Sequence, residues 1–90
     1  MIEYKIIRDF DGYFERYTKE LMTKVDNPKI KVVEIDAGPY RPCSVYCGFN
    51  KDTGTLKFDY YSAIRSGFGM ITSQERDSLI KDIIQPIIIN

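Results

Sequence analysis

The feature that most restricts this chain lies in its first 25 residues, where a two-residue apolar period switches within a few positions to a helical one. Ile2, Tyr4 and Ile6 alternate with Glu3 and Lys5, which predicts a half-buried strand over residues 2–8. Phe10, Tyr13, Phe14, Tyr17, Leu21 and Val25 then follow at spacings of three and four, the pattern of one helical face, with Asp11, Glu15, Arg16, Lys19, Glu20 and Lys24 opposite. A helix is therefore expected over residues 10–25, capped by the carboxylate of Asp9 or Asp11. A strand with one apolar face and a helix with one apolar stripe are stable only when both bury those surfaces, so more strands must follow to complete a shared core.

The rest of the chain supplies them. Asp26-Asn27-Pro28 stops the helix, because proline disfavours helical geometry in the residue before it and Asp and Asn tolerate turns. Residues 29–36, rich in Val and Ile, read as a second strand, with the adjacent Val32 and Val33 indicating either cover on both faces or a bulge. Cys43, Val45, Cys47 and Phe49 alternate with Ser44, Tyr46 and Gly48 in a third strand, and Leu56, Phe58 and Tyr60 alternate with Lys57, Asp59 and Tyr61 in a fourth. Lys51-Asp52-Thr53-Gly54 between them is hairpin chemistry, with Gly54 supplying the positive φ. Residues 65–69 read as a glycine-containing loop. Thr72 and Glu75 have the spacing of a capping box for a second helix, whose buried stripe is Leu79, Ile80, Ile83 and Ile84. Pro86 is expected to end that helix, leaving Ile87-Ile88-Ile89 for a short final strand.

The expected fold is thus α+β: a mainly antiparallel sheet of three to five strands, two helices packed on one face, in the order β-α-β-β-β-α with an optional last β. Ninety residues make one domain, residues 1–90. If the helices cover the Cys43, Val45, Leu56 and Phe58 face, the uncovered face carries Ser44, Tyr46, Lys57, Asp59 and Tyr61.

Composition removes several function classes. Thirteen basic and thirteen acidic residues cancel, so no global field draws the chain to nucleic acid or to an anionic membrane. The opening MIEYKIIRDF lacks the basic start and apolar run of a signal peptide, and no stretch approaches the ~20 apolar residues of a membrane span, so a cytoplasmic chain is expected. With no histidine, Ser-His and Cys-His nucleophile pairs are excluded, together with the commonest metal ligand. Neither a Walker loop nor a GxGxxG motif is present.

Two cysteines, Cys43 and Cys47, invite a redox or zinc reading. Four residues along a strand separate their positions by roughly 13 Å, beyond the ~7 Å reach of a disulfide, and two sulfurs fall short of a structural zinc set. Their simpler role is that of small buried apolar residues. The acidic pairs Asp9/Asp11 and Glu34/Asp36 are better explained by helix capping and solvated strand ends than by a cation, and no metal or other cofactor is expected.

Tyrosine, present seven times, is the residue in unusual supply. Tyr4, Tyr13, Tyr17 and Tyr60 fall on core faces. Tyr40, Arg41, Tyr46 and Tyr61, with Lys57 and Asp59 between them, form the candidate partner-binding set, because Tyr and Arg are enriched at interface hot spots; scattered single exposure is the bland alternative.

From residue 10 to residue 84 the α-β-β-β-α order, with Gly67-Phe68-Gly69 before the last helix, resembles the layout of double-stranded RNA-binding domains. That resemblance implies a lysine cluster at the start of the final helix, where this chain has Thr72-Ser73-Gln74-Glu75-Arg76. One arginine beside a glutamate does not supply such a grip, since phosphate affinity scales with the number of charges neutralised.

The leading expectation is a small non-enzymatic protein-binding module, an inhibitor, adaptor or regulatory subunit that occupies the surface of a larger protein. The description also fits the compact antagonists that bacteriophages direct at host proteins. Self-association through the same face or an edge strand is a variant of it. A nucleic-acid-binding domain using Lys29, Lys31, Arg41, Lys51 and Lys57 with stacking tyrosines ranks behind, and a thiol- or carboxylate-based enzyme ranks last.

Overall fold

The computed structural model describes residues 1–9, 12–37, 44–61 and 73–89. The switch of period at the start becomes strand β1 (Glu3–Arg8) and helix α1 (Tyr13–Met22). Gly12, with φ 68°, stands at the entry to α1, and the Asp9 carboxylate reaches past it to accept from the backbone N–H groups of Phe14 at 2.9 Å and Glu15 at 2.7 Å. Two of the helix's otherwise unpartnered donors are thereby satisfied, as the capping argument requires. The helix is shorter than residues 10–25: it closes where Thr23 Oγ1 donates to the Glu20 carbonyl at 2.6 Å, although Val25 beyond it is still buried. Phe10 and Asp11 lie outside the described residues. Asn27 then turns the chain by accepting from the Lys29 N–H at 2.9 Å.

Three further strands follow, β2 (Val32–Ala37), β3 (Ser44–Asn50) and β4 (Thr55–Tyr61), in a four-stranded sheet of order β1-β2-β4-β3. Here the expectation of a mainly antiparallel sheet is corrected. β1 pairs with β2 and β2 with β4 in parallel, and only β3 with β4 is antiparallel, so the sheet is mixed. The cause is the crossover: α1 carries the chain back along the sheet, and β2 restarts in the direction of β1. The hairpin formed by β3 and β4 then docks through its second strand, because Leu56, Phe58 and Tyr60 offer more apolar surface than Val45, Cys47 and Phe49. Val33 meets Leu56 and Ile35 meets Phe58, all four at 0% exposure, whereas the apolar residues of β3 stay partly buried at the edge. The bulge considered near Val32 and Val33 is found instead in the neighbouring strand, between Ile6 and Arg8.

Residues 51–54 turn the hairpin as expected. Gly54 has φ 72°, its N–H donates to the Asn50 carbonyl at 2.8 Å, and its own carbonyl accepts from Lys31 at 2.8 Å and Val32 at 3.1 Å, tying the turn to the start of β2. A Cβ on Gly54 would stand 2.8 Å from the Lys29 carbonyl oxygen.

The C-terminal segment is the second correction. No final strand forms at Ile87 to Ile89: α2 (Ser73–Leu79), a π-helical turn (Ile80–Ile84) and α3 (Gln85–Ile89) run on through Pro86. Proline breaks an α-helix because it lacks an N–H and its ring strikes the carbonyl four residues back, here that of Asp82. The Gln85 N–H instead bonds to Ile80, five residues back, and the widened turn gives the ring room. Ile80, Ile84 and Ile88 then stack on the buried side, while Ile83, expected in the stripe, is rotated out to 37% exposure. Thr72 of the expected capping box and the loop at 65–69 lie outside the described residues.

Residues of α1 and of the C-terminal helix join Val33, Ile35, Leu56, Phe58 and Tyr60 in one core cluster, so helices cover this face of the sheet. Tyr60 is its polar anchor, its hydroxyl 2.7 Å from Thr18 Oγ1 and its ring centroid 4.5 Å from that of Phe14. Burial pushes the Tyr60 phenol well above its ordinary pKa, opposed by its hydrogen bond with Thr18.

Two outcomes follow from this packing. Tyr60→Phe and Thr18→Val should each lower stability by about 1–2 kcal/mol in urea unfolding, and the double variant by less than their sum, because removing both partners strands neither; strict additivity would mean the two hydroxyls do not interact. Gly54→Ala should cost about 2 kcal/mol in the same measurement, since it combines an unfavourable φ with a backbone clash.

Candidate functional site

Alternation along a strand sends every second side chain away from the helices, and the register aligns those residues into rows across the uncovered face. One row runs Lys5, Glu34, Lys57, Gly48 and the next Arg8, Asp36, Asp59, Tyr46. Arg8 joins its row because the bulge before it shifts β1 by one position. Arg8 Nε donates to Asp36 Oδ1 at 2.8 Å, and Lys57 Nζ lies 3.7 Å from both Glu34 Oε1 and Asp59 Oδ1. The Asp36 carboxylate raises the Arg8 pKa, first through the hydrogen bond and then through its charge. Solvated pairs of this kind contribute little to stability each, and here they set side chains of opposite charge beside one another across the face.

Against these paired charges stands Tyr46 on β3, directly opposite Asp59 and 59% exposed. Its neighbour two positions on is Gly48, where a Cβ would meet nothing within 4 Å. The face therefore has a projecting phenol beside a bare stretch of backbone, bounded by Lys57 and Asp59. Such a surface offers an aromatic anchor, a dent, and both signs of charge for steering and register.

Of the residues expected in the site, the structure brings together Tyr46, Lys57 and Asp59. Tyr40 and Arg41 lie outside the described residues, and Tyr61 ends β4 with its backbone opposite Ser44. Arg8, Glu34, Asp36 and Gly48 belong to the same face and lie outside the expected partner-binding set. For Glu34 and Asp36 the signal was present, since they alternate with the buried Val33 and Ile35; for Arg8 it was hidden by the bulge.

The rival chemistries rest on other residues. Asp9 caps α1, and Glu34 and Asp36 face Lys57 and Arg8, while Asp11 lies outside the described residues. Among the described residues no group of three or more Cys, Asp or Glu side chains converges on one point. Lys29, Lys31 and Lys51 are exposed at the hairpin end of the sheet, apart from Lys57, whose ammonium is shared between two carboxylates. Cys43 lies outside the described residues. Cys47 is partly buried on the covered face, and burial, then the charge of Asp59, pushes its thiol up to about 12, so the nucleophilic thiolate is scarce at neutral pH. A hollow of about 380 Å³ opens between the N-terminus and the turn after α1, lined by residues including Ile2, Val25, Pro28 and Lys31. No helix among the described residues is long and apolar enough to cross a membrane.

No protein-family model matches the sequence, and neither the curated proteins nor the solved structures compared with it give a match.

The Cys47 environment has a pH consequence. The native thiol holds its proton to about pH 12, whereas in the unfolded chain it is lost near the ordinary 9.0. Above that ordinary value the unfolded state therefore binds fewer protons, and stability should fall as pH rises from about 9 to 12. The difference in urea midpoint between the wild type and Cys47→Ala should be constant from neutral pH to about 9 and then shift against the wild type as pH rises toward about 12. Site-resolved mass spectrometry should likewise find native Cys47 slow to take up iodoacetamide at pH 8 and rapidly alkylated in urea; fast native labelling would contradict the burial.

Proposed function

We propose that this chain is a non-enzymatic protein-binding module that engages a larger protein through the uncovered face of its sheet, with Tyr46 as the anchor and Lys57 and Asp59 beside it. Tyr46 carries the reading: a large aromatic side chain more than half exposed, on an outer strand, opposite Asp59 and out of phase with the core-facing Val45 and Cys47. Tyrosine supplies rigid amphipathic contact area at little entropic cost, which is why it is over-represented among residues that dominate binding energy. The ion-pair lattice around it supports recognition of a partner carrying complementary charges. It speaks against nucleic acid, because Arg8 and Lys57 already neighbour carboxylates and would release few counterions from a phosphate backbone. The reading covers inhibitor, adaptor and regulatory subunit alike, the antagonists made by phages included, in a cytoplasmic setting.

A photo-crosslinking residue in place of Tyr46, with the same residue at the exposed Asp52 as control, tests this in nuclease-treated lysate of the source cell. A discrete protein adduct specific to position 46 is expected, and the wild-type chain should compete it away at least tenfold better than Tyr46→Ala, whose stability should change by less than ~0.5 kcal/mol. Equal adducts at both positions, or equal competition by the two chains, would sink the proposal.

A further inference from the structure

Independently of the sheet face, the edge of β1 carries a pattern that is complementary to itself. β1 is the outer strand beside β2, and among the described residues no strand lies on its other side. Ile6 and Ile7 are 38% and 45% exposed there, and Glu3 and Lys5 are exposed with no ion-pair partner among the described residues. An open edge of this kind presents unpaired backbone groups as a template for another strand.

The hydrogen bonding restricts how a second copy could add. Glu3 N–H donates to the Lys31 carbonyl, so residues 3 and 5 direct their backbone groups toward β2, and Tyr4 and Ile6, between and beyond them, direct theirs outward. A two-fold antiparallel pairing must therefore match outward-directed residues with one another. Centring it on Glu3 or on Lys5 opposes like charges across the axis, and centring it on Ile6 opposes Glu3 to Asp9. Centring it on Tyr4 opposes Tyr4 to Tyr4 and Ile2 to Ile6 on the helix side, and Glu3 to Lys5 twice on the uncovered side. Opposite charges directly across such a pair are favourable and like charges unfavourable. The bulge that would blunt the edge begins after Ile6 and leaves this stretch straight.

We infer that β1 is a homodimer interface, two copies joining antiparallel about Tyr4 so that their sheets form one continuous sheet of eight strands. The contact is small, and the dimer is correspondingly weak and in exchange with monomer.

Sedimentation equilibrium over a concentration series up to about 1 mM reads the association directly. The wild type should dimerise; Glu3→Lys, which places like charges opposite each other at both ends of the pairing, should weaken dimerisation by about tenfold or more; and Glu3→Lys combined with Lys5→Glu should restore it. Circular dichroism of the two variants checks that the fold is retained, and the recovered dimer of the double variant excludes misfolding as the cause. A wild type that stays monomeric throughout, a dimer indifferent to Glu3→Lys, or a double variant no stronger than the single one would each overturn the inference.

Discussion

The parallel pairing of β2 with β4 is the constraint on which the rest of this molecule rests. It joins two strands from different parts of the chain, one delivered by the α1 crossover and one by a hairpin, and aligns Val33 with Leu56, Ile35 with Phe58 and Ala37 with Tyr60. Those side chains are almost fully buried. At about 25 cal/mol per Å² of apolar surface they supply much of the drive to fold a chain this short. The same register fixes where the polar partners fall. It brings Tyr60 beneath Thr18 of α1, and on the other side of the sheet it sets Glu34 beside Lys57 and Asp36 beside Asp59.

From that one pairing comes the asymmetry of the sheet. Helices on one side cover Val33, Ile35, Ala37, Leu56, Phe58 and Tyr60, leaving the opposite side to Val32, the charged rows and Tyr46. A sheet clothed on one face commonly turns the other to water, and this one does so with a charge lattice rather than a bare apolar surface. The lattice keeps the face wet when unoccupied, while the projecting tyrosine and the open backbone at Gly48 give it a place where burial by a partner would release water.

Much of this was legible in the residues themselves. The stripe from Tyr13 to Leu21, the capping carboxylate of Asp9, the turn at residues 51–54 and the two faces of β3 and β4 are all local patterns, set by side chains within one or two turns of each other. Strand direction and order are not. Nothing within residues 32–37 records that β4 rather than β3 will lie beside them, since that choice is decided by the total apolar surface each strand can bury. The strand-helix-strand opening did carry the signal for a parallel β1-β2 pair through its crossover. At Pro86 a local rule lost to packing: Ile80, Ile84 and Ile88 stand four apart through the proline, and burying all three outweighed a regular turn. In the site, Tyr46, Lys57 and Asp59 were readable from alternation, and Arg8 was not, because a bulge changes which way a side chain points without leaving a mark in composition.

The claim that the tyrosines divide, Tyr60 to the core and Tyr46 to a partner, is tested most directly by hydroxyl-radical footprinting of the chain alone and in nuclease-treated extract of its source cell. The account predicts strong oxidation of Tyr46 in the isolated protein, protection of Tyr46 in the extract, and an unlabelled Tyr60 in both. Oxidation of Tyr60 as rapid as that of Tyr46 would reverse the faces of the sheet, and a Tyr46 equally oxidised with and without the extract would mean that no partner occupies this one.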